Sequence, residues 1–462
     1  MKRLVAIFII LVLTCFLFAG CDIVDSAIDG VDFSKNDIRD AISNLIHTHS
    51  YEQTVTEPVY GVDGYTTYTC ACGDSYKADF TKYYSHGFGL KFNEDKTGYI
   101  LMRIGYCDDK DIVIPPTYEG VPIIAIGNGA FETEKITSVT IPDSVTSISP
   151  YAFYNCENLK SVTIGNGVTR IYNLAFAYCA NLQNVTIGNN VSYIGYEAFG
   201  ACDSLTSVTI PDSVTFIDDR AFSSCASLTK ISVDENNPCY ISIDGNLYTK
   251  DGKTMMQYAT GKQDASFSIL DGVTKIAVDA FACAKNLTTI TIPDSVISIG
   301  EFAFYDCSSL TSVAIPGSVI SIGENAFEDC TSLTSVTIPD SVTSIGEFAF
   351  SDCTSLTSVT IPDSVTSIGD GAFHHCTSLS GVTIPDSLTT IGGAAFWGCT
   401  SLFSVTIPDS VTFIGNGAFY YCTSLTTINY RGTEEEWNAI NKEDYWDYYI
   451  GNYTIVYNYT GE

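Results

Sequence analysis

Apolar and polar positions alternate along most of this chain in a pattern that returns at a fixed interval. In Leu333-Thr-Ser-Val336-Thr-Ile338 the apolar residues fall on one side of a short extended segment, leaving Thr334, Ser335 and Thr337 outside. Pro339 and Asp340 end that strand, since proline cannot donate to a ladder. Val342 and Ile345 return to the same core, and Gly346 permits the next bend. The Ala349-Phe350 stretch is expected to form a helical turn on the far side that buries Phe350. The pattern restarts at Leu356, 23 residues after Leu333.

The recurring phenylalanines are Phe131, Phe153, Phe176, Phe199, Phe222, Phe281, Phe304, Phe327, Phe350, Phe373, Phe396 and Phe419. Their spacing is 23 except for the first step (22) and the step from Phe222 to Phe281 (59). No single unit can bury its own apolar face, so the units must stack, and their strands then form a parallel sheet on one, concave, face. A period of this length lies in the range of leucine-rich repeats. The expected fold is a leucine-rich-repeat solenoid with short parallel β-strands and short helical turns, preceded by a small β module.

The units resemble those of the BspA-type leucine-rich-repeat family, with its L-x-x-V-x-I-P-x-x-V-x-x-I-G-x-x-A-F-x-x-C signature, over residues from about 104 to 430. The flanks Ile104-Gly105-Tyr-Cys107 to Pro115 and Ile428 to Trp437 resemble the family's entry and exit segments. The resemblance implies a bacterial surface protein, and some members of the family bind host matrix proteins.

Residues 233–272 break the period. Asp244-Gly245 and Asp251-Gly252 are hairpin signals, and the segment from Asn246 to Lys250 between them reads as a strand. A small β excursion from the solenoid is expected here. The organisation that follows is 1–20 signal peptide, 21–45 tether, 46–88 small β module, 89–430 solenoid and 431–462 C-terminal cap. The cap reads as a short helix from Glu434 to Asn441 and a closing strand near Tyr453 to Tyr457. It is rich in tyrosine and tryptophan, which suits either capping or sugar binding.

Lys2 and Arg3 precede an apolar run from Leu4 to Leu17 and then Phe18-Ala19-Gly20-Cys21. A basic start, a short apolar stretch and small residues before a cut describe a signal peptide. The ending resembles the bacterial lipobox, which implies lipid attachment at Cys21 and an anchored, extracytoplasmic protein at the cell surface. That lipid would be the chain's only contact with a membrane. The 53 acidic and 22 basic residues give a formal charge of −31, which argues against nucleic-acid binding, because phosphate contacts need lysine and arginine.

Three columns bear candidate chemistry. Ten cysteines lie three residues after a repeat phenylalanine: Cys156, Cys179, Cys202, Cys225, Cys307, Cys330, Cys353, Cys376, Cys399 and Cys422. They read as small buried residues closing each turn. Thr140, Thr163, Thr186 and Thr209 begin an outward threonine column that offers a hydroxyl-rich docking face. The irregular early units around Lys160 and Arg170 are where a specific epitope is expected. The aspartates after the turn prolines, such as Asp340, suit turn hydrogen bonds, because one carboxylate per repeat is too few for calcium.

In the N-terminal module His49, Cys70, Cys72 and His86 form a candidate two-histidine, two-cysteine zinc set. The alternative is a hairpin carrying exposed thiols or an internal disulfide. His374 and His375 occupy a repeat slot filled elsewhere by Ser, Tyr, Glu and Asp, and read as exposed turn residues. No phosphate loop, nucleophile elbow or H-E-x-x-H is present, so the protein is not expected to be an enzyme or to need a cofactor beyond that zinc. The functional expectation is a surface lipoprotein binding an extracellular protein or glycan, with host matrix or mucin as partner. The alternative is a structural spacer of the envelope.

Overall fold

The computed structural model describes residues 50–56, 64–71, 75–81 and 85–461. The leader, the lipid-attachment candidate Cys21 and the tether therefore lie outside the described residues. The chain separates into two compact units, one running through Thr81 (without 59–62) and the other containing Lys82 to the C-terminus. In the first, the strands Tyr51–Thr56, Gly64–Cys70 and Ser75–Thr81 form an antiparallel sheet.

The second unit is the solenoid, and it begins earlier than the sequence pattern suggested. The Ser85 N–H donates to the Val113 carbonyl at 2.8 Å, and Phe88 packs edge-on against Phe131 with ring centroids 6.1 Å apart. Residues 85–88 thus close the first end of the repeat core and belong to the solenoid, not to the small module. An apolar ring at the open end of a stack is better covered by chain than left to water.

Each turn contributes two strands to two separate parallel ladders. The threonine ladder joins Ser335–Thr337 to Ser358–Thr360, with Val336 opposite Val359 and Thr337 opposite Thr360. The second ladder joins Ser344–Ile345 to Ser367–Ile368, with Ile345 opposite Ile368. In both, the inward residue is buried and its neighbours face outward. Parallel stacking in exact repeat register puts like residues on like residues.

The third side is built from hydrogen-bonded turns and not from α-helix. Two residues per turn take a left-handed backbone, one two places before the phenylalanine and one two places after it: Phe348 and Asp352 around Phe350, for example. A left-handed residue cannot continue an α-helix. The backbone bonds run between turns instead, as from the Phe350 N–H to the Ala372 carbonyl at 2.9 Å. The same bond recurs from Phe373 to Ala395 at 2.8 Å. This third ladder stacks the phenylalanines nearly parallel, with Phe327 and Phe350 centroids 5.3 Å apart and their planes at 0°.

The turn after each proline is tied by serine. Ser387 Oγ donates to the Val365 carbonyl of the preceding unit at 2.8 Å, and Ser295 does the same to Val273 at 2.7 Å. The adjoining Asp340, Asp363, Asp386 and Asp409 are exposed. The turn role assigned to the aspartates thus falls largely to the serine beside them, with Asp143 accepting from the Asn166 N–H at 2.6 Å as an early exception.

The interruption of the period is a β excursion made of Tyr240–Ile243, Asn246–Thr249 and Thr254–Gln257. It divides the apolar core in two. One cluster ends at Tyr240 and Leu247, and the next begins at Tyr248 and Met255. Tyr258 takes a phenylalanine slot, stacking on Phe281 at 5.3 Å. The far end is closed by the helix Glu434–Ala439, whose capping box pairs Thr433 with Glu436. The strands Asn441–Lys442 and Thr454–Val456 finish the two ladders, and Trp446 covers the last ring, Phe419, edge-on.

Candidate functional site

The structure distributes the sequence candidates over different faces. Thr140, Thr163, Thr186 and Thr209 are exposed on the threonine ladder, and Lys160 is exposed immediately before its strand Ser161–Ile164. Arg170 belongs to the second ladder, in Arg170–Ile171, so it does not share a face with them. Its guanidinium lies 4.5 Å from the centre of the Tyr193 ring, which itself stacks on Phe216.

Of the four zinc candidates the structure describes Cys70 and His86. Cys70 is buried at the end of Gly64–Cys70, and His86 is exposed in the other unit. His49 and Cys72 lie outside the described residues.

The column cysteines are buried, as expected, and their thiols have an additional task. Each donates to the carbonyl of the phenylalanine one unit back, as Cys376 Sγ does to Phe350 at 3.2 Å. Burial pushes the thiols of Cys353 and Cys376 well above their ordinary pKa, and that of Cys422 up to about 12. A thiol held protonated is neither nucleophile nor metal ligand.

The built site lies elsewhere, on the turn edge at the interruption. The residues two places before the phenylalanine in four successive turns are Glu197, Arg220, Asp279 and Phe302. All four have a left-handed backbone, with φ of 49°, 61°, 56° and 52°. That shared conformation projects them into one column. Although 59 residues separate Phe222 from Phe281, their turns meet on this edge: Ser223 Oγ donates to Asp279 Oδ2 at 2.8 Å, and Ser224 Oγ lies 3.4 Å from Cys283 Sγ.

Between these turns is a cavity of about 270 Å³, lined by Glu197, Arg220, Ser223, Asp279, Phe302 and Tyr305 among others. The β excursion fills the core at this level, but the lining comes entirely from the repeat turns on either side. Arg220 is the hub. Its Nε is 3.1 Å from Asp279 Oδ2, one terminal nitrogen donates to the Tyr196 hydroxyl at 3.0 Å, and its plane lies over the Phe302 ring at 4.3 Å. The same terminal nitrogen is 3.6 Å from the Glu197 carboxylate.

Asp279 is the unusual member. Its side chain is only 9% exposed, yet Oδ1 has no hydrogen-bond partner among the described residues. Burial pushes its pKa up to about 6, against the downward pull of Arg220 and Ser223. A buried carboxylate oxygen left unbonded costs free energy until a donor reaches it. The site therefore combines a buried carboxylate with one unbonded oxygen, a guanidinium, a second carboxylate and the rings of Phe302 and Tyr305.

A family model described as "BspA type Leucine rich repeat region" matches six copies over residues 124–244, 260–354 and 343–445. The chain belongs to this family. The match stops at residue 244 and resumes at 260, leaving out most of the β excursion. Among solved structures, a leucine-rich repeat protein from Eubacterium ventriosum is 28% identical, covering 74% of this chain and 94% of its own, with a TM-score of 0.59. One from Bacteroides ovatus is 25% identical, covering 82% of this chain and 100% of its own, at 0.51. The pneumococcal vaccine antigen PcpA, 18% identical over 89% of this chain and 100% of its own with a TM-score of 0.53, shares the fold. No curated protein matches the sequence. Among the described residues no helix is long and apolar enough to cross a membrane.

The edge site does not lie on the strand columns that the sequence pattern makes prominent. Its signal was present: the column two before each phenylalanine changes from Tyr151 and Leu174 to Glu197, Arg220, Asp279 and Phe302. Alternating charge is informative there only once the turns of Phe222 and Phe281 are known to be neighbours.

Proposed function

We propose that this protein is an extracytoplasmic, lipid-anchored binding protein of the bacterial surface, and that it holds a sugar residue of an extracellular glycan in the edge cavity. The observation that carries the reading is Asp279, a buried carboxylate with one oxygen unbonded among the described residues, in the lining of a concave site that also includes Phe302 and Tyr305. A pyranose offers adjacent hydroxyls that donate to such a carboxylate and accept from a guanidinium, while its C–H face rests on rings such as Phe302. The anchor rests on Cys21 and the leader before it. The family resemblance, with members that bind host matrix, supports a surface role, and mucin-type glycans are the first class to try.

Near-identical units such as Thr334–Val342 and Thr357–Val365 favour a second reading, a uniform spacer that holds some other surface away from the cell. The two readings separate on a glycan, mucin and matrix-protein array repeated at high salt, with wild type beside Phe302→Ala and Asp279→Asn. Saturable glycan binding lost in both variants supports the cavity. Glycan binding unchanged in both moves the site to another face. No binding across the array leaves the spacer.

A further inference from the structure

A second constellation lies further along the same edge, in turns where the sequence departs from its own repeat. The two residues after the phenylalanine read Tyr305-Asp306, Glu328-Asp329, Ser351-Asp352 and then His374-His375. We propose that Asp352, His374 and His375 form a binding site for one divalent transition-metal ion, with zinc as the natural probe.

The geometry is set by the backbone. Asp352 and His375 share the left-handed conformation, with φ of 55° and 54°. The Asp352 N–H donates to the His374 carbonyl at 2.8 Å, and the His375 N–H donates to Trp397 at 2.7 Å. Stacking in register thus brings a carboxylate from one turn against two imidazoles from the next. Asp352 Oδ1 lies 3.3 Å from His375 Nδ1, and Asp352 Oδ2 lies 3.9 Å from His374 Nδ1. One ligand atom from each of the three residues falls within 4.8 Å of the others. Bonds of about 2.0–2.1 Å in tetrahedral geometry set ligand atoms roughly 3.3–3.5 Å apart, so small side-chain rotations close the set.

The surroundings are those of a supported site. Ser351, buried at 1% exposure, donates from Oγ to Asp352 Oδ2 at 2.9 Å and so fixes the carboxylate. Ser351 Oγ is also 3.5 Å from His374 Nδ1. The His374 ring lies between Phe348 and Trp397, at centroid distances of 6.2 and 6.0 Å. Partners of this kind orient metal ligands. Two imidazoles and one carboxylate suit zinc, nickel or cobalt better than calcium or magnesium. His375 is 46% exposed on its side chain, so the remaining coordination position faces solvent.

The alternative use of these residues is on the page. Two turns earlier Lys285 Nζ simply pairs with Asp306 at 2.7 Å, and His375 would pair with Asp352 in the same way with no metal. Titration calorimetry with zinc chloride, together with metal analysis after dialysis, decides between them in wild type and His374→Gln/His375→Gln protein. Zinc held elsewhere in the chain cancels in the difference. The expected result is one equivalent fewer in the double variant, and cobalt absorption bands in wild type that the variant lacks. His375→Asn, at an exposed ring, serves if the double variant does not fold, and weakens binding by about tenfold or more. Equal stoichiometry and affinity in wild type and the folded variant overturn the site.

Discussion

Cys353 Sγ donates a hydrogen bond to the carbonyl oxygen of Phe327, 26 residues earlier in the chain and 3.2 Å away. The same oxygen accepts from the Cys330 N–H at 3.3 Å. The thiol therefore satisfies a buried backbone acceptor that the turn alone serves weakly, which accounts for cysteine in this slot where any small apolar residue would fill the space.

Cys353→Ala removes the sulfur and the donor together. It is expected to cost about 1–2 kcal/mol, read from chemical denaturation, because a small void and a half-satisfied carbonyl remain. In the intact protein the column thiols are expected to resist a disulfide-exchange reagent until denaturant is added. Fast native-state labelling of most of them would show that the turns open readily.

The ring column is the larger contributor. Phe350 is fully buried between Phe327 and Phe373, whereas Phe216 is 48% exposed on the second ladder. Phe350→Ala is expected to cost about 3–5 kcal/mol. Phe216→Ala should cost well under half of that, since much of its surface already meets water. Comparable losses for the two would contradict the assigned burial.

Arg220 holds the edge site together. Its removal leaves Asp279 buried without a cation, so Arg220→Ala is expected to destabilise by about 2–3 kcal/mol. Arg220→Lys should recover only part of this. An ammonium cannot stack on Phe302 as the planar guanidinium does while also reaching Asp279 and Tyr196. Thermal unfolding of the three proteins at matched pH reads the order.

Asp279 gives the fold a pH dependence of known sign. Its folded pKa is raised from 3.8 to about 6, so the folded state takes up a proton before the unfolded state does. This group favours the fold below about pH 4, and that contribution is lost as pH rises through about 6, by up to about 3 kcal/mol. The groups facing it are Arg220, Ser223, Glu197 and Asp219. Wild type should therefore lose stability relative to Asp279→Asn between pH 4 and 6.5 and run parallel to it above. A constant difference across that window would place the carboxylate in water.

The alternation of Leu, Val and Ile with Thr and Ser, the proline stops and the Ala-Phe marker were enough to specify a stacked solenoid. Every such contact joins a residue to its counterpart about 23 places away, so the period itself encodes the neighbours. The burial of the cysteines and the exposure of Thr140, Thr163, Thr186 and Thr209 follow from that register. The separation of Arg170 from the threonine face could not be read from the strand pattern alone, because a second ladder starts only a few residues after the first ends.

Tertiary structure alone decided what happens where the period fails. Arg220 and Asp279 lie 59 residues apart in the chain, and no pattern in the intervening residues says that their turns become neighbours. Tyr258 extends the second ring stack by one place at Phe281, and the turns of Phe222 and Phe281 are joined on the edge through Arg220, Ser223 and Asp279. A periodic sequence determines its own contacts by register. An interruption is closed by whichever packing buries the exposed ends of the two stacks, and the charges carried to that junction make its site.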